Sequence, residues 1–317
     1  MSTLSRKTRV HVLIVSSLLA LLVASLPAQE TAKSRPTTAS QPTSTSGPTT
    51  FASDGRPIHV VRTADEFVRA IGPDRVIQIQ ASELDMGSLK RYHLRYVQLY
   101  DVDNTDDQGN ARYELWMRKL SNVRIEGLGA KRVRLVTTHD SVLNITGCKD
   151  IEFANIEFAA KGETLDKAAF YADTCDNLTF ANCAFVRASP GVELDSVEGL
   201  KMVDCEILNC DGIVTAVSCD DLTFSKCSFI SNRGDTGFDL DDVEGVRLAD
   251  CEISDNKLEE FLFGLVDSKR IVLESCTLQD NTFKAMADVP EAIKQVKVKW
   301  FNNKTPDPEP TDEGLPQ

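Results

Sequence analysis

The chain has 317 residues, with 35 Lys and Arg against 48 Asp and Glu, for a formal net charge of −13. A surface this acidic repels nucleic acid and anionic lipid, and it disfavours polyanionic substrates unless a cation bridges them. Nine cysteines are present, an odd number, so a framework in which every cysteine is paired is excluded.

Arg6, Lys7 and Arg9 precede a mostly apolar run from Val10 to Leu26, the layout of a secretory signal, with Ala28 as the cleavage residue. Leu26 is larger than the small residue usual three positions before cleavage, which keeps a retained anchor as the alternative. Residues 1–28 are read as a signal peptide, and the location as secreted, periplasmic or cell-surface. Those residues carry three positive charges and no negative ones, so the remainder has a charge of −16. Residues 29–54 are mainly Ser, Thr and Pro, with little to bury, and read as a disordered linker. The acidic, proline-rich tail 305–317, TPDPEPTDEGLPQ, reads the same way and leaves one folded body over 55–304.

PIHVVRTADEFVRAIGPDRVIQIQ (57–80) predicts strand, helix, strand. Thr63 and Glu66 make a capping box, Phe67, Ala70 and Ile71 give the helix an apolar face, and Gly72-Pro73 ends it. DVDNTDDQGN (101–110) starts like a calcium loop, with Asp101, Asp103, Thr105 and Asp107 alternating. Asp106 stands where glycine is needed and Arg112 where the bidentate glutamate belongs. Flanked by VQLY and YELWM, it reads as the loop of a hairpin.

Further on, one nine-residue unit recurs: NLTFANCAF (177–185), GLKMVDCEI (199–207), DLTFSKCSF (221–229), GVRLADCEI (245–253) and RIVLESCTL (270–278). DIEFANIEF (150–158) has Ile156 at the cysteine position, and NVRIEGLGA (122–130) has Leu128. Apolar residues at positions two and four, then at seven and nine, mean two short strands separated by a tight turn. The starts are 28, 27, 22, 22, 24 and 25 residues apart, a solenoid period. Leucine-rich and helical repeats lack support, since neither a leucine consensus nor a 3.6 period is present.

A third strand lies between the units in GVELD (191–195), GIVTAV (212–217) and GFDLD (237–241). Three short strands per coil make an all-β, right-handed parallel β-helix, with 57–80 supplying an N-terminal capping helix and 290–303 closing the far end through Val296, Val298 and Trp300. Ile156, Cys183, Cys205, Cys227, Cys251 and Cys276 then stack inside, about 4.8 Å apart. A second interior column holds Cys148, Cys175, Val197, Cys219, Val243 and Ser268, where valine replaces cysteine. Both columns read as packing, with a disulfide involving Cys210 as the alternative. Asn155, Asn182, Asp204, Lys226, Asp250 and Ser275 fall in one turn column, a degraded asparagine stack.

This order of strand, capping helix, NVRIEGLG coil and NLTFANCAF coils resembles the pectate-lyase-like right-handed parallel β-helix superfamily over residues 57–303, and most of all its secreted repeat proteins. The resemblance implies the fold. It leaves activity open, because lyases, hydrolases, epimerases and noncatalytic adhesins share it.

With Val192 and Leu194 inward, Glu193 and Asp195 point outward, and the same register places Tyr171 and Asp173 one coil before and Asp239 and Asp241 two coils after. Val214 and Ala216 are read as interrupting the column between them. Superfamily members that act on polysaccharide bind it along such a face, so these six residues are the candidate ligand site. Resemblance to pectate lyases implies aspartates holding calcium, here Asp173, Asp195, Asp239 and Asp241, and a basic arginine, for which Arg187 and Arg233 are nearest. VRASP (186–190) matches the lyase Arg-Pro motif only superficially, and the Trp-Ile-Asp-His motif is absent. Resemblance to polygalacturonase-like hydrolases implies paired carboxylates. Asp239 and Asp241, about 6.5 to 7 Å apart, would meet the lower edge of the inverting window. The Gly-His-Gly and Arg-Ile-Lys motifs of those enzymes are missing, and His59, His93 and His139 all precede the candidate coils.

The sequence therefore predicts a monomeric exported β-helix that binds or organises extracellular or cell-envelope polysaccharide without cleaving it. It needs no cofactor, and calcium is the one ion its carboxylates would take. The alternatives are a calcium-assisted lyase or glycoside hydrolase on acidic glycans, with Asp239, Asp241 and Arg233 as the catalytic candidates, and a structural or protein-binding surface protein.

Overall fold

The computed structural model describes residues 50–89, 93–105, 111–138 and 140–304. The amino-terminal segment 1–28, residues 29–49 of the Ser/Thr/Pro-rich stretch, the tail, His139 and residues 106–110 of the aspartate-rich stretch lie outside them. Among the described residues no helix is long and apolar enough to cross a membrane.

Strands with apolar side chains at alternate positions bury them only when coils stack, and stacking is what the chain does. Ser121–Gly127, Lys149–Ala154, Phe170–Ala181, Val192–Val203, Asp220–Ser225, Glu244–Ala249 and Lys269–Glu274 pair in parallel, coil on coil. A separate nine-stranded parallel sheet runs from Glu83–Asp85 to Lys299–Phe301. In Phe170–Ala181 and Val192–Val203 the third strand of one coil bends directly into the first strand of the next. The result is an all-β parallel solenoid of about eight turns.

The corners explain the polar residues between strands. Asn155, Asn182, Asp204, Lys226, Asp250 and Ser275 all adopt left-handed backbone, with φ between 51° and 56°. Asn and Asp accept that conformation most readily among residues with a Cβ. Only Asn182 and Asn155 bond to each other there, through an amide contact of 3.0 Å. The longer asparagine ladder stands at a different corner. Buried Asn232, Asn256 and Asn281, then Asn303, link through side-chain amides at 3.0, 2.8 and 2.8 Å. Each of the last three also accepts a backbone N–H from the coil before, at 2.9, 3.1 and 3.0 Å.

All nine cysteines are buried and none is paired. Their sulfurs do more than fill space. The backbone N–H of Cys183 donates to Cys205 Sγ, that of Cys148 to Cys175 Sγ and that of Val197 to Cys219 Sγ, each at 3.4 Å. Ser268 Oγ takes the same role for Val243 N–H at 3.0 Å, so the column uses small side chains that can also accept. Beside the ladders, Phe153 stacks on Phe180 and Phe158 on Phe185, with ring centroids 5.1 and 5.2 Å apart.

At the amino-terminal end the expected strand, helix and strand form over Pro57–Val61, Ala64–Ala70 and Arg75–Ile79, with Phe67 and Val68 wholly buried. Thr63 Oγ1 accepts from Glu66 N–H at 3.1 Å, and the Glu66 carboxylate reaches back to Arg62 N–H at 2.6 Å. Thr50–Phe51 pairs antiparallel with Pro57–Ile58. The expected hairpin is Val97–Thr105 against Ala111–Arg118, with Asp101 and Asp103 on its first strand.

Two assignments change. Leu128 is 39% exposed and lies outside the ladder; Val133 pairs with Ile156, because the chain loops out over 128–132 before its next strand. Residues 290–303 build one more coil on the stack instead of a lid. Trp300 stands above Leu278 and against Phe283, and remains 42% exposed.

Candidate functional site

The third strands carry two outward columns. Parallel register aligns Trp116, Asn144, Tyr171, Glu193, Thr215 and Asp239 in the first. The second holds Arg118, Thr146, Asp173, Asp195, Val217 and Asp241. Neighbours in a column are about 4.8 Å apart. Leu143, Ile145, Val192, Leu194, Phe238 and Leu240 alternate with them and are buried, so the predicted inward and outward faces hold.

The middle coil needs correcting. Val214 and Ala216 point inward, and Thr215 and Val217 are the residues that interrupt the acidic face. The interruption separates the six predicted residues into a contiguous group, Tyr171, Asp173, Glu193 and Asp195, and a distant pair, Asp239 and Asp241. Arg233 begins the strand that ends in Asp241, six residues before Asp239, or about 20 Å of extended chain, and does not join either group. Arg187 is tied down elsewhere, donating through Nη2 to Ala160 O at 2.7 Å.

Tyr171 and Glu193 of the contiguous group, but not Asp173 or Asp195, open onto a cleft of about 270 Å³ that Glu114, Trp116, Ser141, Asn144 and Lys167 complete. Trp116 and Tyr171 meet edge to face, their centroids 5.6 Å apart. Asn144 lies between them in the column and donates to Leu115 O at 3.4 Å. Lys167, on the loop between coils, lays its ammonium across the cleft to Glu114 at 2.6 Å and Asp140 at 3.4 Å. Glu114 also accepts from Trp116 Nε1 at 3.2 Å, so each of its carboxylate oxygens is engaged.

Electrostatics follow from this packing. Burial pushes the Glu193 carboxyl above its ordinary range, with Asp195 adding to the effect and Lys167 opposing it. Burial likewise raises the Tyr171 phenol, and Asp173, Asp195 and Glu193 reinforce the shift, so the ring stays neutral. Burial alone would weaken the Lys167 ammonium; the bond to Glu114 and the charge of Asp140 more than offset that, and its pKa is raised. Asp173 accepts from Thr146 Oγ1 at 2.7 Å and Thr174 Oγ1 at 2.6 Å, one hydroxyl on each oxygen, while Asp195 accepts from Ser196 Oγ at 2.9 Å. Among the described residues no three His, Cys, Asp or Glu side chains come together to hold a metal ion.

Sequence reasoning reached Tyr171 and Glu193 through the repeat. It missed Trp116, Glu114, Asn144 and Lys167. The alternation of YELWM carries a signal for the first two, but that coil has neither the cysteine nor the nine-residue unit that set the register.

The parallel coils and buried ladders have a counterpart in sequence comparison: residues 138–290, slightly under half the chain, match the family described as right handed beta helix region. The chain folds as a right-handed parallel β-helix. No curated protein matches it. Among solved structures, this β-helix protein is similar to a pectate lyase from Paenibacillus sp. 0602, with 8% identity, TM-score 0.42, and 79% of this chain and 78% of that one covered. A Yersinia enterocolitica Family 28 exopolygalacturonase shares 8% identity at TM-score 0.34, covering 73% of this chain and 61% of its own. A Streptococcus pneumoniae surface protein and adhesin shares 8% identity at TM-score 0.31, with 79% and 90% covered. Likenesses this remote say nothing of substrate or reaction.

Proposed function

We propose that the protein is exported and binds extracellular or cell-envelope polysaccharide along its third-strand face without cleaving it. The observation that carries this reading is the cleft in which Trp116 and Tyr171 stand beside Asn144, Glu193 and Lys167. Sugars offer apolar C–H faces and a rim of hydroxyls, and an aromatic pair bordered by amide, carboxylate and ammonium groups matches both. The two columns continue the surface over several coils, which suits a polymer better than a single sugar. The signal-like amino-terminal segment would deliver the protein to where such polymers are.

The absence of cleavage in this proposal rests on how the acidic groups are used. Glu114 is engaged by Lys167 and Trp116, and both oxygens of Asp173 are held by hydroxyls, which leaves neither as a ready base. One observation favours a second reading, hydrolysis: Glu193 is half-buried with a raised pKa, as a general acid would be. Incubating the protein with neutral and acidic polymers, while following retention together with release of reducing or unsaturated ends, separates the two. Retention without new ends is expected. New ends that disappear in Glu193→Gln would replace the binding reading with the hydrolytic one.

A further inference from the structure

The charge of the face selects among polysaccharides, an inference that rests on the glycan-binding reading above. Across the two columns, Asp173, Glu193, Asp195, Asp239 and Asp241 present five carboxylates. The cations are fewer and already committed. Lys167 is held by Glu114 and Asp140, both nearly buried, and offers little to an incoming carboxylate; Arg118 stands at one end of its column. A uronic-acid chain laid along the columns would therefore meet repulsion at Asp173, Asp195 and Asp241.

We infer that the face selects polysaccharides carrying free amino groups, such as glucosamine polymers, over uronic-acid polymers and over fully N-acetylated chains. The cleft supplies both elements that recognise an ammonium. Ring faces of Trp116 and Tyr171 attract a cation through their quadrupoles, and Glu193 stands one coil beyond Tyr171 as the ionic partner. A sugar residue is about as long as one coil is thick, and alternate residues of an extended β-1,4-linked chain turn the same side to the surface. An amine near Asp195 is therefore followed, past the uncharged coil of Thr215 and Val217, by one near Asp241. An N-acetyl group removes the charge and leaves the stacking. A uronic acid reverses the charge.

The test uses the full chain and three five-residue oligomers, of glucosamine, N-acetylglucosamine and galacturonic acid, titrated calorimetrically at pH 6 in low and high salt. The glucosamine oligomer is expected to bind tightest and to weaken as salt rises. Glu193→Gln and Asp195→Asn should each weaken it by about threefold to tenfold, a larger loss than either causes for the N-acetylated oligomer. Asp195→Asn is outward-facing and keeps the fold, so it carries the test if Glu193→Gln perturbs packing. Equal or tighter binding of the galacturonate or N-acetylated oligomer would overturn the charge inference while keeping the glycan reading. Silence from all three, with Trp116→Ala changing nothing, would sink the glycan reading itself.

Discussion

Replacing Lys167 with methionine removes the one ammonium placed between two nearly buried carboxylates. The Glu114 and Asp140 side chains are 9% and 10% exposed, whereas Lys167 is 51% exposed. Breaking a fully buried pair typically costs about 3 to 5 kcal/mol, because a charge is left without compensation. Water reaches the lysine here, so the cost is discounted to about 2 kcal/mol. For a folded body of this size that corresponds to a fall in Tm of about 4 to 8 °C. Thermal melts followed by circular dichroism at pH 7 would read it. A second substitution, Glu114→Gln in the methionine background, should recover part of the loss, because it removes one of the stranded charges. If Lys167→Met melts like the parent, or if the second substitution deepens the loss, the ion triad does not stabilise the cleft floor.

Asn256→Ala should cost about 3 to 5 kcal/mol in denaturant unfolding, since it strands the N–H and amide of Asn232 and the carbonyl of Phe229 in the interior; a cost under about 1 kcal/mol would mean the ladder is ornamental. Burial pushes the Cys210 and Cys219 thiols up to about 11. The unfolded chain then loses those protons first, so stability should be full below about pH 8.5 and decline as pH rises through 11. A Cys210→Ala, Cys219→Val variant should flatten that decline in melts at stepped pH, and an unchanged slope would refute the assignment. Glu193, also raised by burial, favours the native state in its neutral form, a contribution present at low pH and lost as the group ionises. Glu193→Gln should consequently raise Tm at pH 7 and change it little at pH 4, and the opposite pattern would show that the carboxylate is stabilised in place.

Much of the fold is legible in the sequence because a solenoid repeats its own evidence. Cys183, Cys205, Cys227, Cys251 and Cys276 each mark the same inward position, and that register alone places Tyr171, Asp173, Glu193 and Asp195 on one outer face. Where the repeat is irregular the reading slips. Leu128 precedes a loop that shifts the inward position to Val133, and the middle coil carries alternation on a mostly apolar strand that does not say which residues point outward. The asparagine ladder escapes notice because Asn232, Asn256, Asn281 and Asn303 follow the nine-residue unit instead of lying within it. The cleft is harder still. Trp116 reaches Tyr171 only because the hairpin coil stacks next to Leu143–Thr146, and Lys167 reaches Glu114 from a loop whose path no periodicity encodes.

Retention on immobilised polysaccharide, compared between the parent chain and Trp116→Ala or Tyr171→Ala with soluble ends quantified in the same samples, tests the central claim most directly. The account predicts a polymer that retains the parent, releases both variants at least in part, and yields no new reducing or unsaturated ends. Retention that ignores both substitutions, or a steady release of ends by the parent, would contradict it.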